Sequence, residues 1–279
     1  MKALFTAILL LLVTGTFATQ VNFESTLDAA LKKAKEQNKL VFIEYYNSEC
    51  HVCKKLEPVF SNDTLSDFYN KYFICYKLNT EKIKKEDSLF IAHAGLTFES
   101  VPYFLFFDKD GHFVHYADPK QDVDFLVNAG AIAMEPTERT GALEGKYQSG
   151  DRSIKTLYAY SNLLKLYKND AQRKIVAEQL YNVFPKDELG TKKSYIITKN
   201  CVDDIDNGFF KYWIMHTDEI KAFEKNPNTA HETNVLSEIV RRSVISDAHK
   251  KWDAAKIKQV KEWILKTGLS KDPDAYFQN

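Results

Sequence analysis

The hydrophobic pattern divides the chain into a segment of mixed strands and helices and a longer segment of helices alone. In residues 25–38, apolar side chains recur every three or four positions, which predicts an amphipathic helix with Ser25 as its cap. Residues 40–46 form an apolar and aromatic run typical of a central strand covered on both faces. This run contains one carboxylate, Glu44, whose burial is unfavourable unless something compensates for it.

The elements that follow predict a single α/β domain over 19–135. Helices are expected at 50–60 (kinked at Pro58 and continued by 67–72), 86–93 and 122–134, with strands at 73–79, 103–108 and 112–117. The last two strands are joined by a short turn containing Gly111, which predicts a β-hairpin. This order of elements indicates a mixed sheet with parallel and antiparallel pairs, flanked by helices.

The pattern changes after residue 135. Residues 136–150 are rich in turn-forming residues and predict a linker. From 151 to 279 the apolar positions follow only helical spacing. Helical stretches are expected at about 154–167, 175–184, 209–223, 230–247 and 251–267. The sequence therefore predicts an all-α domain over 151–279.

The first 18 residues have the pattern of a secretory signal peptide. Lys2 precedes an apolar run at residues 3–13, and small residues surround Ala18. The run is shorter than the roughly 20 residues that cross a bilayer, so we expect cleavage after Ala18 and no membrane span in the mature chain. This signal predicts export to the bacterial periplasm. That compartment is oxidising, so disulfides persist there.

Composition narrows the classes of function. The 38 basic residues equal the 38 acidic ones, which removes the basic footprint expected of a nucleic-acid-binding protein. Hydrophobic residues make up 44% of the 279, enough for substantial buried cores. Four cysteines are too few for a small scaffold held together by disulfides, so their spacing becomes the informative feature.

Two of these cysteines, Cys50 and Cys53, lie just after the strand at 40–46 and at the start of the next helix. Two intervening residues on a first helical turn bring the sulfurs close enough to pair, and the helix N-terminus stabilises a thiolate at Cys50. We therefore expect Cys50 to be the nucleophile and Cys53 the resolving thiol of a disulfide-exchange reaction.

Two other interpretations of the cysteine pair are weaker. Structural zinc requires four ligands, and no second cysteine pair or histidine pair of suitable spacing occurs. A purely structural disulfide across so tight a loop would restrict the unfolded chain very little. The sequence thus predicts no metal site, and no cofactor is expected.

The segment around the dithiol resembles the thioredoxin superfamily. Residues 43–54, IEYYNSECHVCK, with Pro58 five residues after the second cysteine, are similar to the active-site segment of thioredoxin. Residues 76–79, YKLN, resemble its third-strand segment, and Val101-Pro102 resembles its cis-proline loop. The resemblance covers about 25–134. It implies a thioredoxin fold and an exported thiol–disulfide oxidoreductase that acts on protein thiols and disulfides, with an unidentified redox partner.

The resemblance also implies roles for four further residues. Glu44 would be a buried acid behind the resolving thiol, taking its proton, with Lys77 nearby to tune the Glu44 pKa. The alternative is that Glu44 and Lys77 form only an ion pair in the core. A cis Pro102 would leave the backbone of Val101 open to pair with an extended substrate strand.

The chain departs from the thioredoxin motif at the residues beside the thiols. Thioredoxins have Trp-Cys-Gly-Pro-Cys, whereas this chain has Glu49 before the dithiol and His51-Val52 within it. We expect His51 to contact substrate and, when cationic, to favour a more oxidising dithiol, while Glu49 acts in the opposite direction. The sequence leaves the direction of electron flow open.

The remaining cysteines and the helical segment suggest one alternative function. Cys75 and Cys201 belong to no motif. We expect Cys75 to be buried in its strand and both thiols to be inert, and a bridge between the two is an open but disfavoured alternative. The alternative is an interaction protein whose helical domain binds a partner, with incidental redox activity. Four aromatic residues could line a groove in that domain: Tyr158, Tyr160, Tyr167 and Trp213. Packing in the core of the domain is the simpler interpretation of these residues.

Overall fold

Residues 20–118, 120–224 and 234–277 are described by the computed structural model of this chain. They form two units. The dithiol unit comprises the chain up to Asp87 together with Ser100–Glu135, and the helical unit comprises Ser88–Glu99 together with the chain from Pro136. The predicted signal peptide at 1–18 lies outside the described residues.

A five-stranded mixed sheet forms the centre of the dithiol unit. Its strands are β1 (Phe23–Glu24), β2 (Leu40–Tyr46), β3 (Phe73–Asn79), β4 (Tyr103–Phe107) and β5 (Phe113–Ala117). Their order in the sheet is β1-β3-β2-β4-β5. The pairs β1 with β3 and β2 with β3 are parallel, whereas β2 with β4 and β4 with β5 are antiparallel.

Four helices occupy connections between these strands, and a fifth follows β5. They are α1 (Leu27–Gln37), α2 (His51–Phe60), α3 (Asp63–Tyr72), α4 (Lys85–His93) and α5 (Val123–Met134). The predicted mixed α/β layer is therefore confirmed, and the short strand β1 is the element that the pattern did not reveal. Two residues are too few to show a periodicity.

Capping side chains set the helix starts and correct two expectations. Thr26, not Ser25, caps α1, because its side chain accepts a hydrogen bond from the N–H of Ala29 at 3.1 Å. The expected extension at 67–72 is a separate helix that begins at Asp63. Asn62 caps that helix by accepting from the N–H of Leu65 at 3.2 Å, so the chain turns after α2 and restarts.

An aromatic cluster packs the face of the sheet on which Glu44 lies. Phe42, two residues before Glu44 on β2, is fully buried and its ring contacts four other rings. Those rings are Phe60, Tyr69, Phe104 and Phe106. Close packing of this cluster leaves Glu44 next to apolar surface rather than water, and so defines the electrostatic environment of the site.

The helical unit contains α6 (Leu143–Gln148), α7 (Ile154–Leu166), α8 (Asp170–Val183), α9 (Lys192–Cys201), α10 (Gly208–Met215), α11 (Thr217–Glu224), α12 (Val235–Ile245) and α13 (Ala254–Thr267). The predicted all-α character is confirmed. The expected single helix at 209–223 is divided at His216, and α9 was not predicted. Among the described residues, no helix is both long and apolar enough to cross a membrane.

Two segments differ from the predicted organisation. Residues 136–150, expected as a linker, contain a 3-10 turn and α6, whose Leu143 and Tyr147 are buried. Residues 88–99, expected within the α/β domain, group with the helices. Thr97 donates its N–H to the carbonyl oxygen of Leu166 at 2.8 Å, and Glu99 pairs with Lys165 at 3.0 Å.

The aromatic residues of the helical unit mostly build its core. Trp213 is fully buried, and its indole N–H donates to the hydroxyl of Ser194 at 3.2 Å. Tyr160 is also buried, Tyr158 is half-buried, and Tyr167 is exposed. These four residues therefore do not share one exposed groove, and core packing accounts for Trp213 and Tyr160.

Candidate active site around the Cys50 and Cys53 thiols

The two cysteines sit at the start of α2, directly after β2. Cys50 is the N-cap residue, and its sulfur accepts a hydrogen bond from the N–H of Cys53 at 3.2 Å. Cys50 is half-buried, whereas Cys53 keeps only 3% of its surface exposed. A disulfide in another molecule can therefore reach Cys50 first, while Cys53 is placed to attack only a sulfur bonded to Cys50.

Polar side chains hold the loop that precedes Cys50. The side-chain oxygen of Asn47 accepts a hydrogen bond from the N–H of Glu49 at 2.7 Å. The backbone carbonyl oxygen of Asn47 accepts a hydrogen bond from the N–H of Cys50 at 3.2 Å. Asn79, at the end of β3, donates to the hydroxyl of Ser48 at 2.7 Å. These contacts orient the loop so that Cys50 caps the helix.

The loop before β4 faces the first thiol. The thiol of Cys50 donates to the carbonyl oxygen of Val101, with 3.8 Å between sulfur and oxygen. Val101 is half-buried, Pro102 is buried, and the peptide bond between them is cis. The backbone of Val101 is thus in direct contact with the sulfur expected to react.

Glu44 is completely buried on β2, with no surface exposed. Within the described part of the chain, neither of its carboxylate oxygens accepts a hydrogen bond. Burial raises the pKa of Glu44 from 4.5 to about 7. The positive charge of Lys77 lowers this pKa and offsets part of the rise, whereas the negative charge of Glu57 adds to the rise. This carboxyl group can therefore gain or lose a proton near neutral pH.

The cation beside Glu44 is shared with a second acid. Lys77 lies opposite Glu44 in the parallel pairing of β2 with β3, and its Nζ is 3.3 Å from the Oε2 of Glu44. The same Nζ donates to the Oε1 of Glu57, on α2, at 2.5 Å. Burial lowers the pKa of Lys77, but the two carboxylates outweigh burial and raise it. Lys77 therefore stays charged, and its well-formed hydrogen bond goes to Glu57.

The resolving thiol is strongly disfavoured as an anion. Burial raises the pKa of Cys53 to about 12, and a hydrogen bond involving the backbone of Asn47 offsets this only in part. The negative charge of Glu44 is a further, smaller cause of the rise in this pKa. A reaction of Cys53 as a thiolate at neutral pH would require a proton acceptor, and Glu44 has a pKa suited to that role.

The structure brings most of the predicted site residues together. Cys50, Cys53 and Val101 meet at the start of α2, and Glu44 with Lys77 forms the adjacent charged pair. His51 is the first residue of α2 and its side chain is exposed. A substrate could touch it, and no described contact ties it to the thiols.

Sequence reasoning missed Glu57 and the two asparagines that anchor the loop. Glu57 follows Cys53 by four residues on α2, so it lies on the same helix face one turn away, and that spacing was the available signal. Asn47 and Asn79 lie at strand ends and belong to no catalytic motif, so only tertiary contacts could reveal their role.

The other two cysteines are free, buried thiols. Burial raises the pKa of Cys75 and raises that of Cys201 to about 11. Neither thiol ionises readily at neutral pH, in agreement with the expectation that both are inert.

Comparison with known proteins gives one family match and similar solved structures. Residues 27–126 match the family model of the thioredoxin-like domain. A solved structure of a proposed disulphide-isomerase from Bacteroides thetaiotaomicron is 26% identical, with 43% of this chain and 97% of that chain covered and a TM-score of 0.36. The disulphide isomerase from Xylella fastidiosa Temecula1 is 16% identical, with 42% and 90% covered and a TM-score of 0.29. No curated protein matches this chain significantly.

The family match and the observed sheet define the class of this part of the chain. The matched segment begins with α1 and includes β2 to β5, the dithiol and the Val101-Pro102 loop. Residues 27–126 therefore form a thioredoxin-like domain, which confirms the resemblance found in the sequence. The match does not extend into the helices after α5.

Proposed function

We propose that this chain is an exported thiol–disulfide oxidoreductase that exchanges disulfides with protein substrates through Cys50 and Cys53 and so contributes to cell redox homeostasis. The observation that carries the proposal is the unequal pair of thiols at the start of α2. Cys50 is accessible and lies against the Val101 carbonyl, while Cys53 is buried behind it. The thioredoxin-like domain supports the reaction class.

In the first step, the Cys50 thiolate attacks one sulfur of a substrate disulfide. A mixed disulfide forms between Cys50 and that sulfur, and the other substrate sulfur leaves as a thiolate. The N–H of Cys53 points at the Cys50 sulfur from the first turn of α2, where the helix dipole also favours a negative charge.

In the second step, Cys53 attacks the Cys50 sulfur of the mixed disulfide. Glu44 takes the proton of the Cys53 thiol, the Cys50–Cys53 disulfide forms, and the second substrate thiolate is released. Two electrons have then passed from the dithiol to the substrate, and the reverse sequence oxidises a substrate dithiol. Protonation of Glu44 also removes the negative charge that disfavours the Cys53 thiolate.

Substrate binding would use the loop before β4. We expect an extended peptide next to Val101 to form hydrogen bonds with its backbone, which would place a substrate disulfide beside Cys50. The exposed His51 would contact the same peptide from the start of α2.

Paired cysteine variants test this proposal. In a dithiol-dependent assay of insulin reduction, C50S is expected to abolish activity and to form no mixed disulfide with a substrate peptide. C53S is expected to trap that mixed disulfide, detectable by mass spectrometry under non-reducing conditions. C75S serves as the matched control, because its thiol is buried and outside the site. Full activity in C50S would disprove the proposal.

Export is proposed from the first 18 residues alone. Expression of the full chain in a bacterium, with fractionation and intact-mass analysis, is expected to give a periplasmic protein that begins at Thr19. A cytoplasmic protein that retains residues 1–18 would contradict export and leave the proposed chemistry unaffected.

A further inference from the structure

The ammonium group of Lys77 lies among aromatic rings as well as between two acids. Its Nζ is 4.8 Å from the centre of the Phe23 ring, 5.1 Å from that of Phe60 and 5.9 Å from that of Tyr46. All three distances lie within about 6 Å, the range in which the electron-rich face of a ring attracts a cation. We call these three aromatic side chains the aromatic cage.

The register of the sheet brings two of the rings to this position. Phe23, on β1, lies opposite Cys75, which precedes Lys77 by two residues on β3 and therefore shares its face of the sheet. Tyr46 follows Glu44 by two residues on β2 and shares the same face. Both rings thus flank the pair formed by Glu44 and Lys77.

The third ring belongs to the helix face that carries the resolving thiol. Cys53, Glu57 and Phe60 are spaced by four and then three residues on α2, so they form one stripe along the helix. Phe60 keeps only 3% of its surface exposed, and its ring meets that of Phe23 nearly at a right angle with 5.4 Å between the ring centres. The stripe therefore leads from the thiol, through the acid that binds Lys77, to the aromatic cage.

The hydrogen bond donated by Lys77 does not by itself explain why the ammonium stays near Glu44. That bond goes to Glu57, whose side chain is 56% exposed, and among the described residues no hydrogen bond joins Lys77 to Glu44. The flexible Lys77 side chain could rotate outward with Glu57, keep this hydrogen bond and leave Glu44 without a cation. The rings of Phe23 and Phe60 oppose that movement, because the ammonium would lose contact with their faces.

The elements packed against Glu44 supply one cation. β3 carries Lys77, while α2 carries Glu57 and the thiol of Cys53. The apolar Phe104 lies opposite Glu44 on β4. Among these neighbours Lys77 lowers the pKa of Glu44, whereas Glu57 raises it. The protonation of Glu44 therefore depends on where the Lys77 ammonium is held.

We propose that Phe23 and Phe60 are positioning residues whose ring faces hold the Lys77 ammonium beside Glu44. The inference rests on the proposed function, in which Glu44 accepts the proton of Cys53. With the ammonium held 3.3 Å from its Oε2, Glu44 can ionise in spite of its burial. Rings that attract the cation less would let it move away, and Glu44 would then keep its proton to higher pH.

Fluorinated phenylalanine at position 23 tests the cage with little change in ring size. Fluorine withdraws electron density from the ring face, so mono-, di- and trifluorinated rings should attract the cation progressively less. The Glu44 pKa is measured in the reduced, full-length protein by NMR of its isotopically labelled carboxyl carbon, assigned with E44Q. It should rise at each step, by about half a pH unit in total. The pH midpoint of the resolving step should rise with it.

Phe125 provides the matched control. It is half-buried in the same unit and its ring lies 4.4 Å from the Nζ of Lys120, but it does not belong to the cage. The same fluorinated series at position 125 should leave the Glu44 pKa unchanged. Two conventional variants separate loss of the ring from misfolding. F23L removes the ring face and should raise the Glu44 pKa, whereas F23W retains a ring face and should not raise it.

Three results would overturn the proposal. They are a Glu44 pKa that does not rise along the series at position 23, an equal rise along the series at position 125, and a constant midpoint of the resolving step while the pKa rises. The Glu44 pKa is measured without substrate, so it does not depend on disulfide exchange. Failure of the proposed function would instead appear as full activity in C50S.

Discussion

Among the residues that the structure describes, the dithiol unit and the helical unit each contain one buried ionisable side chain with unfilled hydrogen-bonding atoms. The two units accommodate this buried charge differently. Glu44 is fully buried beneath an aromatic cluster, and Arg173 keeps 3% of its surface exposed. A carboxylate can become neutral by taking a proton, and the pKa of Glu44 rises to about 7 accordingly. A guanidinium group has no such option at physiological pH, so Arg173 depends on neighbouring anions.

This difference shows which kind of chemistry each buried charge can support. A group that changes protonation near neutral pH can move protons, as the resolving step at Cys53 requires. A permanent cation can only attract and orient an anion. Glu44 is therefore suited to proton transfer, whereas Arg173 is suited to holding the chain's own acceptors Asp203 and Asn200, although both are buried charges with similar exposure.

The two largest expected effects are similar in size, and the first is the loss of the anion that Arg173 and Arg242 share. D203N should lower the free energy of unfolding of the helical unit by about 3 kcal/mol, because a buried cation loses its partner. Urea unfolding followed by tryptophan fluorescence measures this unit selectively, since its Trp213, Trp252 and Trp263 are the chain's three tryptophans.

Asp204 offers a matched control for that experiment. It is the next residue, and its partner Lys174 is largely exposed, with 64% of its side chain accessible. D204N should therefore change the free energy of unfolding by less than about 1 kcal/mol. Equal effects of D203N and D204N would show that Arg173 does not depend on Asp203.

The next effect is a pH dependence of stability that Glu44 confers on the dithiol unit. In the folded chain Glu44 keeps its proton up to about pH 7, while in the unfolded chain it loses it near pH 4.5. The folded state thus binds more protons between these values, and stability falls as pH rises through this window. The full change corresponds to about 3 kcal/mol, with burial of the charge as its main cause.

E44Q should remove this dependence. The reduced variant is expected to match the wild type near pH 4 and to exceed its stability by up to about 3 kcal/mol at pH 8. Hydrogen exchange of β2 amides, corrected for the intrinsic pH dependence, measures the dithiol unit separately from the helices. E49Q changes an exposed carboxylate of the same region and should leave the profile unaltered. A stability gain that is the same at both pH values would contradict the assignment.

The smallest expected effect concerns the sharing of Lys77. In E57Q the negative charge that helps to raise the Glu44 pKa is lost, and Lys77 can turn to Glu44, so the pKa of Glu44 should fall. Release of substrate from the mixed disulfide should then reach its half-maximal rate at lower pH than in the wild type, because Glu44 ionises earlier. Quenched-flow analysis of the resolving step across pH 5–9 measures the midpoint.

E49Q again serves as the control, because Glu49 lies beside the dithiol and pairs with Lys54, not with Lys77. Its midpoint should equal that of the wild type. An unchanged or higher midpoint in E57Q would mean that Glu57 does not control the sharing of Lys77.

Prediction from the sequence was most accurate where local patterns carry the information. The strands at 40–46 and 73–79 were predicted with the bounds that the structure shows, because continuous apolar runs identify buried strands. The boundary between α2 and α3 and the helix at 143–148 were not predicted. The first depends on the cap at Asn62, and the second on burial of Leu143 and Tyr147.

The sequence by itself determined the thioredoxin-like class of residues 27–126, the dithiol and the presence of an unusual acid in a buried strand. These features are contiguous motifs or short periodic patterns. Only the tertiary structure decided that Glu44 lacks hydrogen-bond partners among the described residues, that Lys77 is shared with Glu57 and that Arg173 pairs with Asp203. Each depends on distances between elements far apart in sequence, because burial and Coulomb interactions are set by the packing that surrounds a group.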